Sequence, residues 1–232
     1  MIQKKKIHVI LCLLLFTTVS YGQNRNEKYN KYFSKDQLSF SLNSTQWLQK
    51  EKVATPSVFS RGVTIQMMYP IIGNKSNFAI AAGFGLACQN YYLKEFIHTN
   101  SDSLWFVPIP DTINYKKYKL NTNYLTIPIE FRIRTNPNKE NRTSFKIYPG
   151  FRAGVLVNVH TKYIGRDLAN NEKTKVKLFN IKHVAKFDYG LTLRIGYGKI
   201  LFHSYYSLTQ LIEPNKGPVI TPVEFGITVI LF

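Results

Sequence analysis

Acidic residues are scarce in this chain: 13 Asp and Glu stand against 31 Lys and Arg in 232 residues, a net charge of +18. Long apolar runs are missing as well. No stretch reaches the ~18–20 residues that a membrane-spanning helix needs, which excludes a helical membrane protein. Helical periodicity is absent, since no segment competes for apolar spacing at three and four residues. Histidines at i, i+4 and Cys/His spacings of the zinc type are also lacking, so no metal or cofactor is expected. Cysteine amounts to Cys12 and Cys88. With 44% hydrophobic and 19% charged residues, disorder is excluded too. Such a basic balance ordinarily raises nucleic acid as a partner.

The N-terminus removes that option. Lys4, Lys5 and Lys6 precede an apolar run from Ile7 to Phe16, and Ser20-Tyr21-Gly22 places small residues before a cut ahead of Gln23. This is the pattern of a cleavable secretory signal peptide over residues 1–22. The apolar run is about half a bilayer span, too short for an anchor. Cleavage removes three lysines and no acids, taking the net charge from +18 to +15. It also leaves Cys88 as the sole cysteine, so no intrachain disulfide forms. An exported protein does not meet the genome, and no nucleic-acid partner is expected. Residues 23–36 are polar and aperiodic and read as a short periplasmic lead-in to a domain over 37–232.

That domain repeats a two-residue period. Apolar side chains alternate at Leu38–Leu42, Val63–Tyr69, Phe78–Cys88, Leu125–Ile133, Phe145–Val159, Phe187–Tyr197, less regularly at Ile200–Leu208, and at Val223–Leu231. Alternation repeated this often predicts strands, eight in number. The connections between them alternate short and long. Short ones fall at 70–77, 135–143 and 198–199; long ones at 48–60, 93–118, 160–185 and 209–221. Tight periplasmic turns opposite extended external loops, with an even strand number, describe a bacterial outer-membrane barrel.

A soluble barrel shares the alternation but turns its apolar face inward. The intervening residues discriminate between the two. Ala79, Ala81, Gly83, Gly85 and Ala87 in one strand, and Asp188, Gly190, Thr192, Arg194 and Gly196 in another, do not cover a water-facing surface. They suit a narrow, filled lumen, so the apolar face meets lipid. Tyr69, Tyr91, Tyr124, Tyr163, Tyr189, Tyr197 and Trp47 are candidates for interfacial girdles. The predicted fold is all-β: an eight-stranded antiparallel transmembrane up-and-down barrel, monomeric, in the outer membrane.

The segment Tyr124-Leu125-Thr126-Ile127-Pro128-Ile129-Glu130-Phe131 resembles a strand of the PorT-like outer-membrane β-barrel family. Phe187-Asp188-Tyr189-Gly190-Leu191 and Tyr205-Tyr206-Ser207-Leu208-Thr209 resemble that family's closing half. The likeness covers about 36–232 and implies architecture; the family's namesake is associated with the type IX secretion system. The last strand departs from the pattern. Its apolar face ends at Leu231, so Phe232 either points inward or follows a bulge.

With the apolar face outward, the lumen receives Glu130, Arg132, Arg134, Lys146, Arg152, Asp188, Arg194 and Glu224, five basic and three acidic. Eight strands leave no room for a water-filled pore, and buried charge persists when paired, so this cluster reads as a structural plug. Catalysis is not expected. His203 and Ser204 point to opposite faces of a strand, and His203 and Ser207 lie ~13 Å apart at ~3.3 Å per residue. Residues 160–185 carry a net charge of +4. Lys173, Lys175 and Lys177 are candidate contacts to anionic lipopolysaccharide or capsule. Loop 93–118, with Trp105, Phe106, Val107 and Ile109, is expected to pack over the mouth or to meet a protein partner. The expected role is non-enzymatic: structural, adhesive or surface-interacting. Two alternatives stay open, an accessory component of a type IX-like secretion system and a lipid-modifying barrel enzyme.

Overall fold

Strands form where side chains alternate between a lipid-compatible row and a row small or polar enough to share a narrow interior. The computed structural model describes residues 37–49, 53–72, 77–135, 144–166, 172–179 and 181–231. The leader, the lead-in and the facing of Phe232 lie outside the described residues. Eleven strands are present among these: β1 (Leu38–Gln49), β2 (Arg61–Ile72), β3 (Phe78–Leu93), β4 (Glu95–Thr99), β5 (Leu104–Pro108), β6 (Tyr115–Arg134), β7 (Phe145–Arg166), β8 (Lys173–Phe179), β9 (Phe187–Tyr197), β10 (Ile200–Ser207) and β11 (Ile220–Ile230).

Eight of them close a ring. Each of β1, β2, β3, β6, β7, β9, β10 and β11 pairs antiparallel with its neighbours, and β1 with β11 completes the circle. The eight-stranded up-and-down barrel expected from the alternation is present. Its outer face carries the exposed apolar residues, among them Leu125, Ile127, Ile129, Phe131 and Ile133 on β6 and Phe225, Ile227, Val229 and Leu231 on or beside β11. The inner face carries Ser39, Ser41, Asn43 and Thr45 on β1, and Ala79, Ala81, Ala87 and Gln89 on β3. Glycine is used on that inner wall where backbones crowd: a Cβ at Gly83 would stand 1.9 Å from the Met67 carbonyl oxygen. No side chain fits there.

The lumen is filled in tiers. At the short-turn end Tyr148, Leu201 and Ile230 form a small apolar floor. At the long-loop end Trp47, Tyr91, Leu93, Leu104, Ile109, Tyr118, Leu120, Leu211, Ile212 and Ile220 form a larger apolar stopper. The polar cluster lies between them.

Three expectations are corrected. Segment 93–118 is not an irregular loop, because β4 and β5 pair as a hairpin and β3 and β6 extend to meet it. Segment 160–185 is likewise largely strand: β7 continues to Arg166 and β8 pairs back onto it, His160 opposite Phe179 and Arg166 opposite Lys173. Both arms there alternate Thr161/Tyr163 and Thr174/Val176/Leu178, a period-two signal obscured by the lysines between. Finally, Trp47, Tyr91 and Tyr124 are buried inside the barrel and Tyr163 packs against the mouth cluster, not in girdles. Their strand parity points inward. Tyr69, Tyr189 and Tyr197 do face out.

Candidate functional site: the filled lumen and its basic rim

All eight lumen residues named from the sequence are buried and lie on inward positions of β6, β7, β9 and β11. Six of them gather into two ion-pair groups. In the first, the Arg152 Nη2 donates to Glu224 Oε1 at 2.7 Å and lies 3.6 Å from Asp188 Oδ2. Gln89 Nε2 and Asn43 Nδ2 each donate to Glu224 at 2.8 Å, so that carboxylate accepts from three strands besides its own. Asp188 accepts the Ser207 hydroxyl at 2.7 Å. Tyr205 lies under Arg152, with the guanidinium carbon 3.5 Å from the ring centroid. Arginine fits such a place because its planar fork binds a carboxylate while its face stacks on an aromatic ring.

In the second group Glu130 receives both Arg194, through Nη2, and Arg132, whose Nε lies 3.2 Å away. Arg194 Nη1 also donates to Ser39 across the lumen at 3.0 Å. Below them Arg134 Nε donates to the Tyr148 hydroxyl at 2.7 Å. The Tyr148 ring has the guanidinium groups of Arg132, Arg134 and Arg194 within 5.3–5.8 Å. Lys146 sits opposite Arg134 in the β6–β7 register.

Sequence reasoning missed Ser39, Asn43, Gln89, Tyr148, His203 and Tyr205 as lumen residues. Parity alone finds them, since each stands one place from an outward apolar residue. His203 is 1% exposed, and neither ring nitrogen has a hydrogen-bond partner. Ser204 is on the opposite face, donating to the Leu193 carbonyl at 3.5 Å, and the Ser207 hydroxyl is committed to Asp188. Neither serine is activated by His203. Among the described residues no group of three or more His, Cys, Asp or Glu is arranged to hold a metal ion.

The long connections converge on the mouth. Trp47 packs on Tyr91 at 5.0 Å and on Phe106 of β5 at 5.9 Å, while Phe96 of β4 packs on Tyr118 at 5.1 Å. The connection after β10 is tied in by Leu104 N–H to the Lys216 carbonyl and by Ala185 N–H to that of Leu211. Alternation within β5 splits the apolar tip: Leu104 is buried in the stopper, while Trp105 and Val107 stay about 40% exposed. Lys173, Lys175 and Lys177 are exposed on β8, at the rim.

One family model, described as an outer membrane protein beta-barrel domain, matches residues 15–213. No curated protein matches the chain. Among solved structures the chain is similar to Ail, the attachment invasion locus protein of Yersinia pestis, at 10% identity and a TM-score of 0.37, covering 83% of this chain and 95% of that one. A second structure of Ail, in complex with the heparin analogue sucrose octasulfate, is similar at 11% identity and a TM-score of 0.35, covering 83% and 96%.

Proposed function

The chain belongs to the outer membrane β-barrel family, and on that premise we propose that it is a non-enzymatic structural and surface-interaction component of the outer membrane. Residues 1–22 act as the export leader, cut ahead of Gln23; 23–36 form the periplasmic lead-in, and 37–232 the barrel. The protein acts as a monomer. The observation that carries the reading is the filled lumen: among the described residues, apolar tiers at both ends enclose ion-paired arginines. What remains available for function is the outside: a lipid-facing wall, a basic rim and an apolar tip. Planar-bilayer recording of the pure protein is the test. We expect no stable conductance; a large, stable one overturns the plug.

A second reading has its own support. The resemblance of 124–131 to PorT-like strands, with Trp105 and Val107 exposed on β5, favours an accessory subunit of a type IX-like secretion machine. Copurification of a stoichiometric partner, lost in Trp105→Ala, tests it. A lipid-modifying activity has the least support, because His203 engages no serine or carboxylate.

A further inference from the structure

Three strands run past the lipid band as one antiparallel sheet, β6, β7 and β8, and their registers bring lysines into line. Lys119 is directly opposite Lys162, and Lys162 is directly opposite Lys177. Two residues further out, Lys117, Ile164 and Lys175 form the next row, and Arg166 faces Lys173 beyond it. Side chains two apart on a strand share a face, so these cations occupy one surface. It is the outer one, because the opposite face carries Tyr118, Tyr163, Val176 and Leu178, which line a cleft with Phe96 and Ile97 of the mouth hairpin.

Like charges directly opposite in a sheet destabilise it. Here the arrangement recurs across two successive strand pairs. Among the described residues no carboxylate lies within ion-pair distance of Lys117, Lys119, Lys162, Lys173, Lys175 or Lys177. Lysines on an edge strand guard against unwanted pairing, and that accounts for β8. It does not account for Lys119 and Lys162, which lie on strands paired on both sides. The crowding is felt electrostatically. Partial burial, then Lys175, Lys177 and Lys117, hold the Lys162 ammonium below its ordinary pKa, and burial with Lys162, Lys117 and Lys177 does the same at Lys119.

A hollow adjoins the rows. A bulge between Tyr115 and Lys117 turns Lys116 out of the regular alternation. Lys116, Lys173 and Lys175 then ring a depression of about 290 Å³ with Asn114, Ile164 and Arg166. The height of the rows selects the ligand. From Phe179, the exposed aromatic residue below Lys177 on this face, the cations climb β8 from Lys177, two residues on, to Lys173, six residues on, a rise of ~5 to ~15 Å vertically at a tilt of about 40°. Ordinary headgroups occupy only ~5–8 Å on each side of the hydrocarbon. The first row lies level with them, and the outer rows and the hollow stand above, at the level of sugars attached to a lipid.

We propose that the outer face of β6, β7 and β8 binds the phosphorylated sugar head of an outer-leaflet glycolipid, with Lys119, Lys162 and Lys177 as the primary row and the Lys116–Lys173–Lys175 hollow seating a second phosphate. The proposal rests on the outer-membrane reading. It widens the rim lysines seen from the sequence to a site built from three strands.

The test uses the mature chain in nanodiscs, titrated with deep-rough lipopolysaccharide carrying its phosphates. The triple variant Lys119→Gln/Lys162→Gln/Lys177→Gln is expected to bind at least tenfold more weakly, and Lys116→Gln/Lys173→Gln/Lys175→Gln several-fold more weakly. Lys199→Gln, in the β9–β10 turn, is expected to bind as the parent does. Phosphatase-treated lipopolysaccharide should lose as much affinity as the first triple variant does. Equal affinity of parent and both triple variants overturns the proposal. So does the same discrimination between parent and variants by inorganic phosphate alone or by phosphatidylglycerol vesicles, which would assign the site to a free anion or an ordinary headgroup. Glutamine removes repulsion, so the variants should keep the parent's heat-modifiable migration. If a triple variant does not fold, Lys162→Gln alone and the fall in parental binding at raised ionic strength carry the decision. A parent without heat-modifiable migration would fail the barrel reading itself, an outcome separate from lost or kept lipid binding.

Discussion

Glu224 is the residue on which the lumen network can be tested most sharply. It is 1% exposed and accepts Arg152, Gln89 and Asn43 at 2.7–2.8 Å. Glu224→Gln keeps the shape and removes the charge. Asp188, at 3.6 Å, is then the one carboxylate left beside Arg152. Removing one partner of a buried pair costs about 3–5 kcal/mol, and the surviving carboxylate puts this variant at the lower end, about 3 kcal/mol. Glu224→Ala also takes an acceptor from Gln89 and one from Asn43, which keeps a 3.2 Å bond to the Thr64 hydroxyl, adding about 1 kcal/mol each, for about 5 kcal/mol in all. Against a typical domain stability of about 5–15 kcal/mol, either loss is large. Arg152→Met/Glu224→Leu, which removes both charges, should recover most of it, since apolar replacement of a whole pair is often neutral. The assay is guanidinium unfolding in detergent micelles, followed by heat-modifiable band shift and by fluorescence of Trp47 at the stopper. Unchanged midpoints for Glu224→Gln and Glu224→Ala would refute the reasoning. The lumen would then be hydrated enough to screen its charges.

Three further outcomes are expected. Gly226 lies where β11 meets β1, and a Cβ there would stand 2.0 Å from the Leu42 carbonyl oxygen; Gly226→Val should therefore cost at least about 3 kcal/mol and shift expressed protein to the unfolded band on gels. Since neither His203 nitrogen is bonded, His203→Leu should leave the unfolding midpoint unchanged or raise it, and a marked drop would mean that the imidazole has a polar partner. His160, on β7 above the last lipid-facing valine, has its pKa lowered from 6.5 by partial burial and then by Lys177, Lys119 and Lys162. The folded state holds the neutral ring while the unfolded chain protonates near 6.5, so this stability is full above that value and is lost as pH falls through the lower folded pKa. Unfolding midpoints across pH 5–8 should show that slope in the parent and a shallower one in His160→Gln.

Much of the architecture follows from a single period. Once Leu125, Ile127, Ile129, Phe131 and Ile133 are assigned to lipid, Glu130, Arg132 and Arg134 must share the lumen, and they do. The same parity places Tyr91 and Tyr124 inside, against the preference of tyrosine for interfaces. Facing was legible there, and composition misled. Partners were not legible. Arg152 chooses Glu224, 72 residues away, and Arg194 chooses Glu130, 64 away, because ring closure and strand stagger bring them level. Nothing local encodes that stagger. The register of β7 is a second case. Asn123 pairs with Asn158 and Tyr124 with Leu156, so Val157 is an extra residue. One bulge reverses parity, and Val159, apolar in series with Val155 and Val157, packs instead against the mouth cluster.

That bulge bears on the basic rim. Without it, the alternation of β7 would carry Lys162 to the inner face, beside Thr161's present neighbours and away from Lys119 and Lys177. With it, Val159 and Tyr163 turn in to the stopper and the lysines turn out together. The chain's excess of positive charge thus meets two environments. Inside, five cations face three carboxylates in a space closed at both ends, and pairing with carboxylates and tyrosine rings makes their burial tolerable. Outside, six lysines share one sheet face with no carboxylate at ion-pair distance among the described residues, where water lowers the cost of repulsion without abolishing it. A single inserted residue on β7 separates the two sets, so deleting Val157 should bring Lys162 into the apolar stopper and destabilise the mouth, while the lower lumen keeps its ion pairs.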